Sequence, residues 1–188
     1  MLLFQSGYLT IDKYINNPIF GINEYKLKIP NLEIQISLNR LFLDYLTNNV
    51  KIDNNIIYSL LESDLDNFKN IMSSMFASIP YNNYVNNKIG EYEGYYASVF
   101  FSYLAGAGLE IIPEDITNNG RIDLTIKMDN AIYILEFKLK DKNNPLQQIK
   151  DRKYYEKYQT ENKDIYVAGI EFDEKKKNIN SFEWEKIK

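Results

Sequence analysis

The chain has 188 residues, 45% of them hydrophobic, which suits one medium domain or one domain with a smaller appendage. Its formal net charge of −4 writes no global attraction to nucleic acid, so any such contact has to be a local patch. The absence of cysteine and histidine excludes disulfides, thiolate nucleophiles, zinc–sulfur sites, serine–histidine triads and imidazole ligands. Carboxylates, lysine, tyrosine and hydroxyls remain, so any metal site is all-oxygen and suits a hard cation such as Mg²⁺ or Mn²⁺.

Residues 1–30 read as a short segment around Leu2 to Tyr14, a loop at Asn16-Asn17-Pro18, and a strand Glu24–Ile29 stopped by Pro30. The apolar residues of this opening have no earlier element to pack on, which reads as a chain entered part-way in something longer. It lacks a basic n-region and a full apolar h-region, and no run of about 18 apolar residues follows. A cytoplasmic protein without a membrane span is the expectation.

From Glu33 to Thr47, the helical spacing of Leu38, Leu41, Phe42, Tyr45 and Leu46 predicts a buried stripe, closed by Asn48-Asn49. A second helical pattern runs from Asp53 to Ser78 with a break or bend around Ser63-Asp64. Leu61, Leu65, Phe68, Met72 and Phe76 mark its buried face, and Ile79-Pro80 ends it. Tyr81 to Asn87 is a polar, Asn-rich linker. A third helix is predicted from Gly90 to Ala105, with Tyr92, Tyr96, Val99, Phe100, Tyr103 and Leu104 as its apolar face. Glu91 and Glu93 fall in its first turn, where acids also simply complement the helix dipole.

Gly106-Ala107-Gly108 terminates that helix. Leu109–Ile112 reads as a strand, followed by Pro113-Glu114-Asp115 and a turn at Asn118-Asn119-Gly120. Gly120 to Lys138 then reads as two strands joined at Met128-Asp129-Asn130. In the first, Arg121, Asp123 and Thr125 alternate with Ile122, Leu124 and Ile126. In the second, the apolar run Ala131 to Leu135 ends in Glu136-Phe137-Lys138, with Glu136 and Lys138 on one side. Paired as a hairpin, the strands gather Asp123, Glu136 and Lys138 at one end of a buried sheet. Buried charges are costly without partners, so the cluster invites a metal ion or a charge network. Asp141 to Asn144 is a polar loop, Pro145–Tyr158 a helix, Ile165–Phe172 a strand, Asp173 to Asn178 a charged turn, and Asn180–Ile187 a last strand. The order predicts a mixed α/β layout around one central sheet.

Glutamate–any–lysine triplets start at Glu24, Glu136, Glu161 and Glu174, so the triplet alone says little. Only the one at Glu136 closes an apolar strand that follows another strand carrying an acid. The other reading of that context is an alternating strand with one wet face, on which Glu136 and Lys138 are solvated.

Glu93, Gly120-Arg121-Ile122-Asp123, Glu136-Phe137-Lys138 and Gln148-Ile149, in this order, resemble the PD-(D/E)XK nuclease superfamily. They look most like the nuclease-like domain that ends many bacterial AAA-ATPase-like proteins. The resemblance implies a restriction-endonuclease-like α/β core, a central mixed sheet flanked by helices, over residues 61–188. Residues 1–60 resemble the tail of the ATPase-like region and would form a small helical appendage. Because no GxxxxGK[ST] loop is present, the chain itself is not expected to hydrolyse ATP.

The same resemblance implies that Asp123 and Glu136 hold Mg²⁺ or Mn²⁺ with the backbone carbonyl of Phe137. Lys138 orients or deprotonates water, Glu93 completes the pocket directly or through water, and Gln148 sits on the helix after the lysine strand. The implied activity is phosphodiester hydrolysis of nucleic acid, with DNA expected, alongside an ATPase-like portion of the same or a partner chain. A catalytically inactive module of the same fold is the alternative. Ile122 stands where the superfamily's name has proline. Arg121 has two readings, a phosphate contact or a pair with Glu114 or Asp115. Lys140, Lys142, Lys150, Arg152, Lys153 and Lys157 form either a basic rim for a phosphate backbone or an ordinary solvated face interleaved with Asp141, Asp151 and Glu156. Tyr154 and Tyr155 suit either base stacking or helix packing.

Overall fold

The computed structural model describes residues 2–17, 22–85, 88–140 and 143–188. After a short helix α1 (Leu2–Gln5), two strands β1 (Thr10–Asn17) and β2 (Ile22–Lys28) pair antiparallel as a hairpin. Asn16 pairs with Asn23 inside that ladder, so the loop expected from Asn16 begins later, and Pro18 lies outside the described residues. The N-terminal portion thus adds a hairpin to its helices, held in part by the Tyr14 and Tyr25 rings at 5.2 Å. Helix α2 (Leu32–Thr47) starts where the Asn31 side chain accepts the Ile34 N–H and ends on Asn48 in the left-handed region.

The predicted break near Ser63-Asp64 separates α3 (Asn55–Leu61) from α4 (Leu65–Ser78). Ser63 has φ of +56°, and the Asp64 carboxylate accepts the Asn67 N–H to start the second helix. The linker carries a 3-10 turn at Tyr81–Tyr84, while Asn86 and Asn87 lie outside the described residues. Glu91 ends another 3-10 turn (Ile89–Glu91), and α5 (Glu93–Gly106) begins at Glu93.

Five strands build the central sheet in the order β3 (Glu110–Thr117), β4 (Gly120–Lys127), β5 (Ala131–Leu139), β6 (Asp164–Asp173), β7 (Asn178–Lys186). β5 and β6 are parallel and the other neighbours antiparallel. β3 runs on through Pro113, further than predicted, because an edge strand tolerates a residue without an N–H to donate. The crossover from β5 to β6 contains α6 (Pro145–Arg152), which stops at Lys153 in the left-handed region before a 3-10 turn, Tyr154–Tyr158. The single helix expected over Pro145–Tyr158 is therefore two pieces. Asp141 and Lys142 lie outside the described residues.

Strand alternation sends side chains to two cores. Leu124, Ile126, Tyr133, Leu135 and Phe137 pack against α4 and α5, where Phe100 meets Phe137 at 5.0 Å and Tyr96 stacks on Phe172 at 4.7 Å. Ile132, Ile134, Ile165 and Val167 face Leu146, Ile149, Tyr154 and Tyr158 on the other side. Helices cover both faces, as a sheet containing a parallel pair requires. The side chains of Leu43, Ile56 and Leu60 join the first core.

The stripe predicted for α2 is turned. Asn39, Leu43 and Thr47 face inward, while Leu41, Phe42 and Tyr45 are 62%, 55% and 88% exposed. Helical spacing identifies a face but not its partner, and the inward face here includes Asn39 and Thr47, which satisfy themselves on backbone carbonyls one turn earlier. Leu61, the last residue of α3, and Tyr92, the residue that caps the start of α5, are also exposed. No described helix is long and apolar enough to cross a membrane.

Candidate active site

The ladder between β4 and β5 holds from Lys127↔Ile132 to Leu124↔Leu135 and then stops, although both strands continue. Beyond that point the Asp123 carboxylate takes over: its Oδ2 accepts the Phe137 N–H at 2.8 Å. A side chain thus replaces a strand carbonyl where the two strands part, and it places Asp123 next to Glu136. Burial raises the Asp123 carboxyl above its ordinary value, against the pull of the Phe137 N–H, Lys138 and Arg121.

Glu136 is 1% exposed. Its Oε1 receives Gln148 Nε2 from α6 and Lys138 Nζ, the latter at 3.2 Å. Its Oε2 is buried with no hydrogen-bond partner, and it is the one such side-chain atom among the described residues. Burial, reinforced by the Asp123 charge and opposed by Lys138, pushes Glu136 up to about 7. Lys138 Nζ also donates to the Phe137 carbonyl at 2.8 Å and lies 3.9 Å from Glu93 Oε1. Burial opposes its charge, but Glu136, Glu93 and Asp123 outweigh that and hold the ammonium above its ordinary value. The solvated alternative for Glu136 and Lys138 is thereby ruled out.

Glu93 stands at the start of α5, and its Oε2 accepts the Leu139 N–H at 3.3 Å. It reaches the site through Lys138. No group of three acids close enough to share a metal occurs among the described residues. Arg121 Nη1 pairs with Glu114 at 3.1 Å, in the open. Asp115 instead lies 4% exposed beneath Lys157, Tyr158 and Thr125, the last at 2.9 Å. The described basic rim is occupied locally: Lys140 by Asp173, Lys150 by Glu185, Arg152 by the Asn119 carbonyl, Lys153 by Glu156 and Lys157 by Asp115. Lys142 lies outside the described residues. Tyr154 is buried in the core under α6, and Tyr155 packs beside it.

One residue escaped the sequence reading. Gly169 on β6 is paired with Glu136, and a Cβ there would press on the Leu146 backbone, with its Cα at 2.9 Å. The bare glycine lets α6 close onto the strand and bring Gln148 to Glu136. A lone glycine inside an otherwise apolar strand is the signal that was available.

The carboxylates of Asp123 and Glu136, the latter with an unpartnered buried oxygen, and the neighbouring Phe137 carbonyl form a hard-oxygen donor set. It fits Mg²⁺ or Mn²⁺ chemically. The Lys138 ammonium holds Glu136 Oε1 and the Phe137 carbonyl, two of the oxygens a divalent ion would use.

Residues 91–182 match the PD-(D/E)XK nuclease superfamily. The matched stretch runs from the turn before α5 to β7, and it contains Glu93, Asp123, Glu136, Lys138 and Gln148. The five-stranded mixed sheet with its flanking helices is the restriction-endonuclease-like core expected of that superfamily. A protein of Azotobacter chroococcum mcd 1, described as an uncharacterized protein in the vnfD 5′ region, is 39% identical over 188 aligned positions. The alignment covers 96% of this chain but 36% of that protein, so the chain spans about a third of its relative's length. No solved structure matches the chain.

Proposed function

We propose that this domain is a Mg²⁺- or Mn²⁺-dependent nuclease that hydrolyses phosphodiester bonds of nucleic acid, with DNA as the substrate. The observation that carries the reading is the Asp123 carboxylate fixed on the Phe137 N–H beside the unpartnered Glu136 oxygen, with Lys138 between Glu136 and Glu93. Asp123, Glu136 and the Phe137 carbonyl would hold the ion, which when bound supplies Lewis-acid activation of water and neutralises charge on the phosphate. Lys138 positions the attacking water and offsets the charge that develops on the phosphate. Glu93 steers the ammonium, directly or through water, and Gln148 fixes the rotamer of Glu136.

Two further features belong to this reading. Residues 1–60 serve as the tail of an ATPase-like region and 61–188 as the nuclease module, acting in the cytoplasm with that ATPase-like portion as partner. The much greater length of the Azotobacter relative supports a larger parent protein. Cleavage of DNA and RNA substrates with Mg²⁺ or Mn²⁺, by the wild type, Asp123→Ala and Lys138→Ala, tests the assignment. Activity that survives both substitutions sinks it.

One observation favours a second reading, an inactive regulatory module: the described basic rim is tied up by neighbouring acceptors. Calorimetric titration with Mn²⁺ separates the two, because that module would bind no metal at its carboxylates.

A further inference from the structure

The exposed apolar face of α2 borders a cavity. Phe42 and Tyr45, three residues apart and so neighbours on one helical face, form one wall of a cavity of about 650 Å³. Gly94, Ala97, Ser98 and Phe101 of α5 line it as well, together with Glu114 and Asp123. The volume falls in the range of roughly 300–1,000 Å³ typical of small-molecule pockets, ample for one base with its sugar.

Its chemistry narrows the occupant. Among the described residues that line it, none carries a positive charge, and Glu114 and Asp123 are acids. A groove of this kind does not track the phosphates of a duplex, which needs rows of Lys and Arg. The basic residues of the described rim are spent on local acceptors as well. An unpaired base is different: it presents a neutral π face that stacks on aromatic rings irrespective of sequence. Asp123 itself lines the cavity, so a base held there is continuous with the carboxylate at which its own strand is cut.

We infer that this cavity takes one unpaired nucleobase of the substrate, stacked on Phe42 and Tyr45, so that the strand presented to Asp123 is single-stranded or frayed at the cut. The inference rests on the nuclease reading and adds the form of nucleic acid that the site accepts.

Fluorescence anisotropy with labelled single-stranded and duplex oligonucleotides of one sequence, DNA and RNA, in EDTA, measures binding apart from cleavage. The single strand is expected to bind at least tenfold tighter than the duplex. Tyr45→Ala and Phe42→Ala should each weaken it about tenfold, while Tyr45→Phe, which keeps the ring, should not. Because both side chains are exposed, the substitutions leave the core intact. Equal binding of duplex, or alanine variants that bind the single strand like the wild type, overturns the inference even if the wild type cleaves DNA. So does an absence of oligonucleotide binding together with self-association that Tyr45→Ala abolishes, since the face is then a protein contact. Loss of metal-dependent cleavage in the wild type itself is the separate result that removes the nuclease reading.

Discussion

Gly169 stands opposite Glu136 in the parallel ladder, and the space a side chain would need there is filled by the backbone of α6 at Leu146. A backbone obstacle cannot be relieved by a change of rotamer. Gly169→Ala is therefore expected to destabilise the fold by about 1–3 kcal/mol or more and to move Gln148 off the Glu136 carboxylate. Urea denaturation reads the first effect, and reduced metal-dependent cleavage at a temperature where the variant is still folded reads the second.

Asp123 performs two tasks that substitutions can separate. Asp123→Asn keeps an oxygen for the Phe137 N–H but removes the charge, whereas Asp123→Ala leaves that N–H without its acceptor. Both variants should lose cleavage. Only the alanine variant should lose stability, by about 1–3 kcal/mol, as judged from denaturation midpoints.

Lys138 occupies oxygens that a divalent ion would share. Lys138→Met should abolish cleavage yet bind Mn²⁺ at least as tightly as the wild type, because a competing cation has been removed. Isothermal titration alongside a cleavage assay checks both halves. Weaker Mn²⁺ binding would show that the ammonium organises the ligands and does not compete for them.

Asp115 contributes to the acid limb of stability. Burial opposes its ionisation, but donation from Lys157, Tyr158 and Thr125 outweighs this and holds its folded value below the ordinary 3.8. A carboxyl lowered in the folded state stabilises above its unfolded value, and that contribution is lost as pH falls through the lower folded value. Asp115→Asn should consequently be less stable than the wild type at pH 6, with the gap closing below about pH 4. Thermal unfolding measured from pH 3 to 7 tests the sign. A gap that does not shrink on acidification contradicts it.

The hairpin that carries Asp123 and Glu136 was legible because period-two alternation with a short turn admits few other structures. Helix α5 and its Glu93 were legible for a similar reason, the long apolar run between the turn at Glu91 and Gly108. What stayed hidden depended on partners distant in sequence. The outward turn of Phe42 and Tyr45 is set by how α2 meets α5, and the splitting of the α6 region at Lys153 rests on one left-handed residue with no glycine to announce it. Whether Arg121 would choose Glu114 or Asp115 depended on Asp115 being taken by a lysine and a tyrosine more than 40 positions away. Charge composition likewise showed six basic residues after the motif but not the acceptors that neutralise the described ones.

The order in which contacts form follows from the strand pairing. The β4–β5 hairpin is local and closes over a three-residue turn, so Asp123 and Glu136 can meet early on the folding path. The parallel pairing of β5 with β6 joins Ala131 to Asp164 and requires the whole crossover to be in place first. Gln148 and Gly169 both reach Glu136 through that crossover. Until that crossover is in place the two acids lack the clamp that orients them, so the finished site is a property of the completed fold alone.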